Sequence, residues 1–261
     1  MPEGDTVFQT ARLLERSLSG QRLTRSDLRV PQHATADLAG QTVTGTISRG
    51  KHLLTRTDAG ITLHTHLKME GAWHVYAAGQ RWRRLADQAR VVLSTERTVA
   101  VGFTLGIVEL LPTAEEDRVV GHLGPDLLGP DWDPDEAVRR LLTAPDRPVM
   151  EALLDQRNLA GIGNIYGAEL CFTSGVHPAT PIGAVPRLPR LVRRAHQMLE
   201  LNKERPPRTT TGNRRTGEQT WVYGRLHQQC RRCGTPIERT HHGVAGQERI
   251  VDFCPSCQPL P

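Results

Sequence analysis

Between Asp5 and Ser19 the apolar residues fall at Val7, Ala11, Leu14 and Leu18, the spacing of an amphipathic helix, with Gly20 as its stop. From about Arg22 to Leu111 the texture changes to short runs rich in Val, Thr and Ile. Glycine-bearing turns interrupt them at Ala39-Gly40, Arg49-Gly50, Ala59-Gly60 and Ala78-Gly79. That texture predicts an all-β region folded as a sandwich. The breaker-rich stretch from Gly124 to Pro134 predicts a boundary. Beyond it the helical period returns over Asp135–Thr143, Pro148–Asn158, Asn164–Ser174 and Leu188–Leu201. In the last of these Leu188, Leu191, Val192, Ala195, Met198 and Leu199 make the buried stripe. Lys203 to Thr220 is polar, basic and rich in Pro, Thr and Gly, and reads as a mobile loop. The fold class expected is α+β, divided into 1–124, a linker at 125–134, a helical part at 135–225 and a small unit at 226–261.

Composition narrows the functional classes. The chain has 261 residues, of which 38% are hydrophobic and 23% charged, which excludes wholesale disorder. Aromatics are only 4%, leaving few stacking platforms for an extended single strand. No apolar run is long enough to span a membrane, and Met1-Pro2-Glu3-Gly4-Asp5 lacks the apolar core of a signal peptide, so a soluble, cytoplasmic protein is expected. The net charge of +5 is unevenly placed. Residues 1–202 carry 23 basic and 23 acidic side chains, whereas 203–261 carry 10 basic and 5 acidic. A polyanion would be met mainly by the C-terminal part, although a solvated Arg-rich surface has the same composition.

Four of the five cysteines form two Cys-x-x-Cys pairs, Cys230/Cys233 and Cys254/Cys257, separated by a stretch that includes Gly243 and Gly246. Two such turns joined by a hairpin supply four thiolates to one tetrahedral zinc, and four thiolates leave no open position, so the metal is structural. Two disulfides are the alternative, disfavoured in a reducing compartment. Cys171 lies in an apolar helical run and reads as a core residue. His64-x-His66 invites a metal reading, but no third ligand follows at a suitable spacing, and structural histidines are expected.

Removal of Met1 would leave Pro2 as an N-terminal secondary amine. An α-amino group has a pKa near 7.7–8.0, so much of it is free base at neutral pH. Condensation with an aldehyde carbon yields an iminium that acts as an electron sink, and Glu3 beside it is placed to move protons.

Here several motifs converge. Met1-Pro2-Glu3-Gly4, Gly50-Lys51-His52-Leu53-Leu54, Leu153-Leu154-Asp155-Gln156, Ala160-Gly161-Ile162-Gly163-Asn164-Ile165-Tyr166, Val222-Tyr223-Gly224-Arg225 and Phe253-Cys254-Pro255-Ser256-Cys257-Gln258 occur in this order. Together they resemble the Fpg/Nei family of DNA glycosylases over essentially the whole chain. The resemblance implies an N-terminal β-sandwich catalytic domain, a helical domain with a helix–two-turn–helix, and a zinc-finger β-hairpin. It implies a bifunctional glycosylase and abasic-site lyase of base excision repair, acting as a monomer on duplex DNA that contains damaged bases or abasic sites. By the same resemblance Pro2 is the nucleophile and Glu3 the acid. Lys51 is the turn lysine that holds phosphate and aids β-elimination. Arg249 is the zinc-finger arginine on the phosphates around the lesion, Asn164 binds backbone phosphate, and Met69 is the wedge that fills the stack vacated by a flipped base.

Within the family, the sequence resembles the endonuclease VIII branch of actinobacterial type, which removes oxidised pyrimidines. It has Gly102-Phe103-Thr104-Leu105-Gly106 where the purine-excising branch carries an Asp-x-Arg-Arg-Phe-Gly run. Three positions depart from the pattern. Asp5-Thr6 replaces the usual Pro-Glu, His122 stands in place of an arginine, and Lys68 replaces a neutral polar residue in the wedge loop. Lys68 and His122 are expected to contact DNA. The departures leave open a catalytically silent or purine-directed member of the family, and a zinc-ribbon factor that binds protein is a third alternative.

Overall fold

The computed structural model describes residues 2–243 and 249–260. The persistence of Met1 and the expected reversal near Gly246 therefore lie outside the described residues. The chain divides into two compact units, Met1–His122 and Leu123–Pro261.

The first unit opens with helix α1 (Gly4–Leu18), which buries Val7, Ala11, Leu14 and Leu18, the stripe the spacing predicts. Eight strands follow: β1 (Arg25–Leu28), β2 (Val43–Arg49), β3 (His52–Thr57), β4 (Ile61–His66), β5 (Ala72–Ala77), β6 (Ala89–Ser94), β7 (Thr98–Phe103) and β8 (Ile107–Pro112). They form two antiparallel four-stranded sheets, ordered β1-β6-β7-β5 and β2-β3-β4-β8. Leu53, Leu63 and Val108 from one sheet meet Val91, Leu93 and Ala100 from the other, together with the buried face of α1, in one core. Because side chains alternate along a strand, the opposite face of β3, β4 and β8 carries a different set. There His52 lies opposite His66, Leu54 opposite His64, and His64 opposite Glu109. A short helix the periodicity does not predict, α2 (Asp117–Val120), follows β8.

In the second unit α3 (Pro134–Leu141) starts on Asp133, whose carboxylate accepts the N–H groups of Asp135 and Glu136 at 2.9 and 3.1 Å. Helix α4 (Val149–Leu154) is shorter than the expected 148–158. Asp155 turns extended there, and its carboxylate accepts the N–H of Arg157 at 3.1 Å, a local bond that competes with the helical ladder. Helices α5 (Asn164–Ser174) and α6 (Leu188–Asn202) follow, and β9 (Glu238–His242) pairs antiparallel with β10 (Arg249–Phe253).

Cys230, Ile237, Val251 and Cys254 join the core built by Leu141, Met150, Leu153, Tyr166, Phe172 and Leu199, so hairpin and helices share one apolar interior. Leu127, in the segment expected as a linker, is buried in that same core, and Asp126 bridges to Ala160. The stretch read as a mobile loop is densely bonded. Asn202 Oδ1 accepts Thr209 N–H at 2.8 Å, and Gln219 O accepts Thr210 N–H at 2.8 Å. Among the described residues no helix is long and apolar enough to cross a membrane.

Candidate active site

Pro2, half-buried, lies one residue before the N-cap of α1. Glu3 is the N-cap residue, in extended conformation. Its carbonyl accepts Val7 N–H at 3.0 Å, and the residue is 0% exposed. Asp5 is also buried, and its carboxylate accepts the N–H of Thr6 at 2.7 Å. Negative charge in the first turn is favoured by the helix dipole. The start of α1 thus gathers Pro2 and two buried acidic residues, Glu3 and Asp5.

Lys51 sits in the β2–β3 turn, where Gly50 adopts φ 56, a left-handed conformation that suits glycine. Beside this turn lies a histidine cluster. His52 Nδ1 and His64 Nε2 are 2.8 Å apart, and His64 Nδ1 is 2.8 Å from Glu109 Oε2. The ring of His66 meets His52 edge-on at 5.0 Å, and that of His122 does so at 6.2 Å. Burial pushes the His52 imidazole down to about 3, and the neighbouring histidines and Lys68 push the same way. Burial takes His66 down to about 4, with Lys68 and then Lys51 adding repulsion. Both rings are neutral near pH 7, and the two lysines concentrate positive charge around them.

The loop after β4 places Lys68 at φ 52 and leaves Met69 63% exposed, so this methionine does not fill the sandwich core. His122 is exposed. Pro2, Glu3, Lys51, Lys68, Met69 and His122 belong to the first unit, and Asn164, Arg249 and the four cysteines to the second.

In the second unit Asn164 opens α5 and donates its amide to Ile250 O at 2.9 Å. That bond ties the helix N-terminus to the residue after Arg249. Gln156 staples the preceding turn, donating to Leu154 O and Ile162 O at 2.8 and 3.0 Å and accepting Gly161 N–H at 3.0 Å. Arg249, His242, Glu151 and Arg147 line a cavity of about 300 Å³. Glu169, wholly buried, accepts the N–H groups of Trp221, Val222 and Tyr223 at 2.8–2.9 Å, and Thr210 also donates to it. One carboxylate thereby holds both ends of the 209–223 stretch. Arg225 donates to Trp221 O at 2.7 Å and to Gln229 O at 2.8 Å, fixing the approach to the hairpin.

The sulfurs of Cys230, Cys233, Cys254 and Cys257 all lie within 4.8 Å of one another, with Cys233–Cys254 at 3.5 Å and Cys230–Cys257 at 4.0 Å. A zinc with Zn–S bonds of about 2.3 Å has tetrahedral edges of about 3.8 Å. A disulfide needs about 2.05 Å. The four thiols therefore fit zinc and form no disulfide. Cys171 is a buried thiol pushed up to about 12 by burial, an inert core residue.

The sequence motifs include Pro2, Glu3, Lys51, His52 and Asn164, and the resemblance they carry adds Met69 and Arg249. Nothing in those motifs points to Glu109 or Glu169, because only strand register and the return of distant loops bring those two residues to their partners.

Residues 1–104 match the family described as formamidopyrimidine-DNA glycosylase N-terminal domain, and residues 123–201 match its H2TH domain. A relative from Streptomyces coelicolor, described as a probable endonuclease 8 2, is 54% identical over 264 residues, covering 100% of this chain and 95% of its own. DNA-(apurinic or apyrimidinic site) lyase Nei2 of Mycolicibacterium smegmatis is 50% identical over 258 residues, covering 99% of each. The crystal structure of Lactococcus lactis Fpg with DNA containing N7-benzyl-Fapy-dG superposes with a TM-score of 0.80 at 23% identity, covering 99% of this chain and 100% of that one. The last is a likeness of fold.

Proposed function

The chain belongs to the formamidopyrimidine-DNA glycosylase and endonuclease VIII family, and from that membership we propose that it excises oxidised bases from duplex DNA and then cleaves the strand, with the Pro2 nitrogen as nucleophile. One observation carries this assignment of the chemistry: Glu3, next to Pro2, is 0% exposed and caps the helix that the proline precedes. A carboxyl group held out of water beside an amine is suited to passing protons at the sugar rather than to surface solvation.

In this reading Pro2 N attacks C1′ of a flipped nucleotide, the glycosidic bond breaks, and the departing base takes up a proton. The resulting iminium acidifies C2′–H. Loss of that proton expels the 3′ phosphate, and loss of the C4′ proton then expels the 5′ phosphate. Lys51 holds phosphate at the turn and assists the first of these losses. Arg249 and the N-terminus of α5 at Asn164 hold flanking phosphates of the bent duplex. Met69 takes the place of the extruded base, with Lys68 and His122 beside the opposite strand. The four cysteines hold one structural zinc, which fixes the hairpin that presents Arg249. Oxidised pyrimidines are the preferred lesions, a preference supported by the arginine-free run Gly102–Gly106 and by relatives described as endonuclease 8.

Borohydride reduction in the presence of abasic-site duplex tests the proposal. A covalent adduct is expected with the wild-type protein and none with Pro2→Gly. Absence of an adduct with the wild-type protein on every abasic or oxidised-pyrimidine duplex would leave a silent DNA-binding protein in its place.

A further inference from the structure

The face of the β2-β3-β4-β8 sheet turned away from the core carries titratable groups that the chemistry at Pro2 leaves unemployed. Glu109 Oε2 lies 2.8 Å from His64 Nδ1, and His64 Nε2 lies 2.8 Å from His52 Nδ1. The two imidazoles stack at 5.0 Å with an interplanar angle of 20°. An ionised carboxylate only accepts, so His64 Nδ1 donates to Glu109. In the neutral His64 ring Nε2 then accepts, His52 Nδ1 donates, and His52 Nε2 is left with its lone pair. The carboxylate at one end thus sets both tautomers.

The ends of this chain open on different surroundings. The Glu109 side chain is 48% exposed and the His64 side chain between them only 2%. His52 adjoins Lys51 in sequence and lies opposite His66, which feels the charge of both Lys51 and Lys68. A leucine at position 64 would fill the space without the cost of burying a polar ring. The histidine instead joins Glu109, at the surface, to His52, the first residue of β3 after the turn, through two hydrogen bonds.

We propose that Glu109, His64 and His52 form a proton exit from the Lys51 turn to the protein surface, serving the elimination steps of strand cleavage. The inference rests on the lyase reading above. Each elimination releases a proton from the sugar at a site from which bound DNA excludes water. When His52 Nε2 takes up that proton, the Nδ1 proton of His52 passes to His64 Nε2, and the Nδ1 proton of His64 passes to Glu109 and on to water. Three bonds to hydrogen form as three break, and exchange with water at both ends resets the tautomers.

The groups facing His52 are His64 and His66 from β4, Lys68 from the loop that follows, and His122 from the segment after α2. Together with burial they keep the ring neutral, so that it passes a proton on without storing it. DNA phosphate against Lys68 offsets its repulsion of His52 and makes the ring a better acceptor when substrate is bound. Glu109 and His64 are positioning residues in this scheme.

Single-turnover experiments on an abasic duplex separate adduct formation, read by borohydride trapping, from elimination, read by strand cleavage. Glu109→Gln keeps the geometry but cannot accept a proton. It is expected to trap as well as wild type while cleaving about tenfold more slowly in dilute non-imidazole buffer. Added imidazole should recover the rate, and Glu109→Asp should retain most of it. His52→Gln should show the same split between trapping and cleavage. Wild-type cleavage by Glu109→Gln across the whole pH range would overturn the exit path, as would a loss that neither imidazole nor Glu109→Asp relieves. Failure of the wild-type protein to trap at all would remove the lyase reading itself, a different result from intact trapping with no effect of the variants.

Discussion

The side-chain amide of Asn164 donates to the backbone carbonyl of Ile250 at 2.9 Å, joining the first turn of α5 to the strand residue beside Arg249. The other amide atom, Oδ1, is buried without a partner among the described residues. The family resemblance gives Asn164 a phosphate-binding role, and the structure gives it the further task of aiming β10.

Replacing Asn164 by alanine removes that bond, at a cost of about 0.5–1.5 kcal/mol. Duplex affinity should fall, and the slope of log K against log salt should flatten by about one unit as a phosphate contact near Arg249 loosens. Binding titrations over a salt series check this. An unchanged slope with full affinity would confine Asn164 to tying α5 to β10.

Zinc removal should act on one unit only. Ile237, Val251 and Cys254 share a core with the helices of the second unit, so Cys254→Ser or chelation is expected to loosen that whole unit while the β-sandwich stays folded. Calorimetry should resolve two transitions, with only one shifted by chelator. A single transition lost entirely on chelation would contradict this division.

Two substitutions in the first unit separate wedge from scaffold. Met69→Ala, at an exposed position, should change stability by less than about 0.5 kcal/mol and yet slow excision about tenfold, since the vacated base stack is left unfilled. Gly106→Ala acts from beneath the same loop. A Cβ there would lie 2.1 Å from Lys68 Cγ and 2.8 Å from Lys68 Cβ, which forces the loop aside. It should lower both stability and excision. Urea unfolding and single-turnover excision distinguish the two patterns.

The pH dependence of stability should show Asp155. The Arg157 guanidinium holds its carboxyl well below the ordinary value of 3.8, against the opposing effect of burial and with help from Arg147. A carboxyl depressed in the folded state stabilises the protein above its unfolded pKa, and that contribution is lost as pH falls through the folded value. The Asp155 side chain is only 11% exposed, but its Arg157 partner is 71% exposed and the pair is screened by solvent, so its worth is about 1 kcal/mol or less. The gap in unfolding midpoint between wild type and Asp155→Asn should be constant from about pH 5 to 8 and narrow below about pH 4. A gap that widens on acidification would reverse the sign argued here.

Much of this protein is legible along the chain. The stripe Val7, Ala11, Leu14, Leu18 defines α1, the glycine turns mark the strands, and paired Cys-x-x-Cys turns announce the metal site, because periodicity, turn chemistry and ligand spacing are local properties. Pro2, Lys51 and Asn164 sit in short motifs for the same reason, and the resemblance those motifs carry implies a role for Arg249. Helix α4 ends at Leu154, several residues short of the helical period, because the Asp155 carboxylate finds its partner two positions on and side-chain bonding there outweighs that period.

Tertiary structure alone decided the rest. His52 lies in a turn motif and His64 in a His-x-His pair, but only the register of three strands sets Glu109, His64 and His52 in one hydrogen-bonded line. Glu169 becomes an anchor only because a stretch more than forty residues downstream folds back onto it. Pattern along a chain encodes what each residue does to its neighbours. The meeting of distant polar groups depends on which strands pair and in what register, and packing of the whole unit selects that.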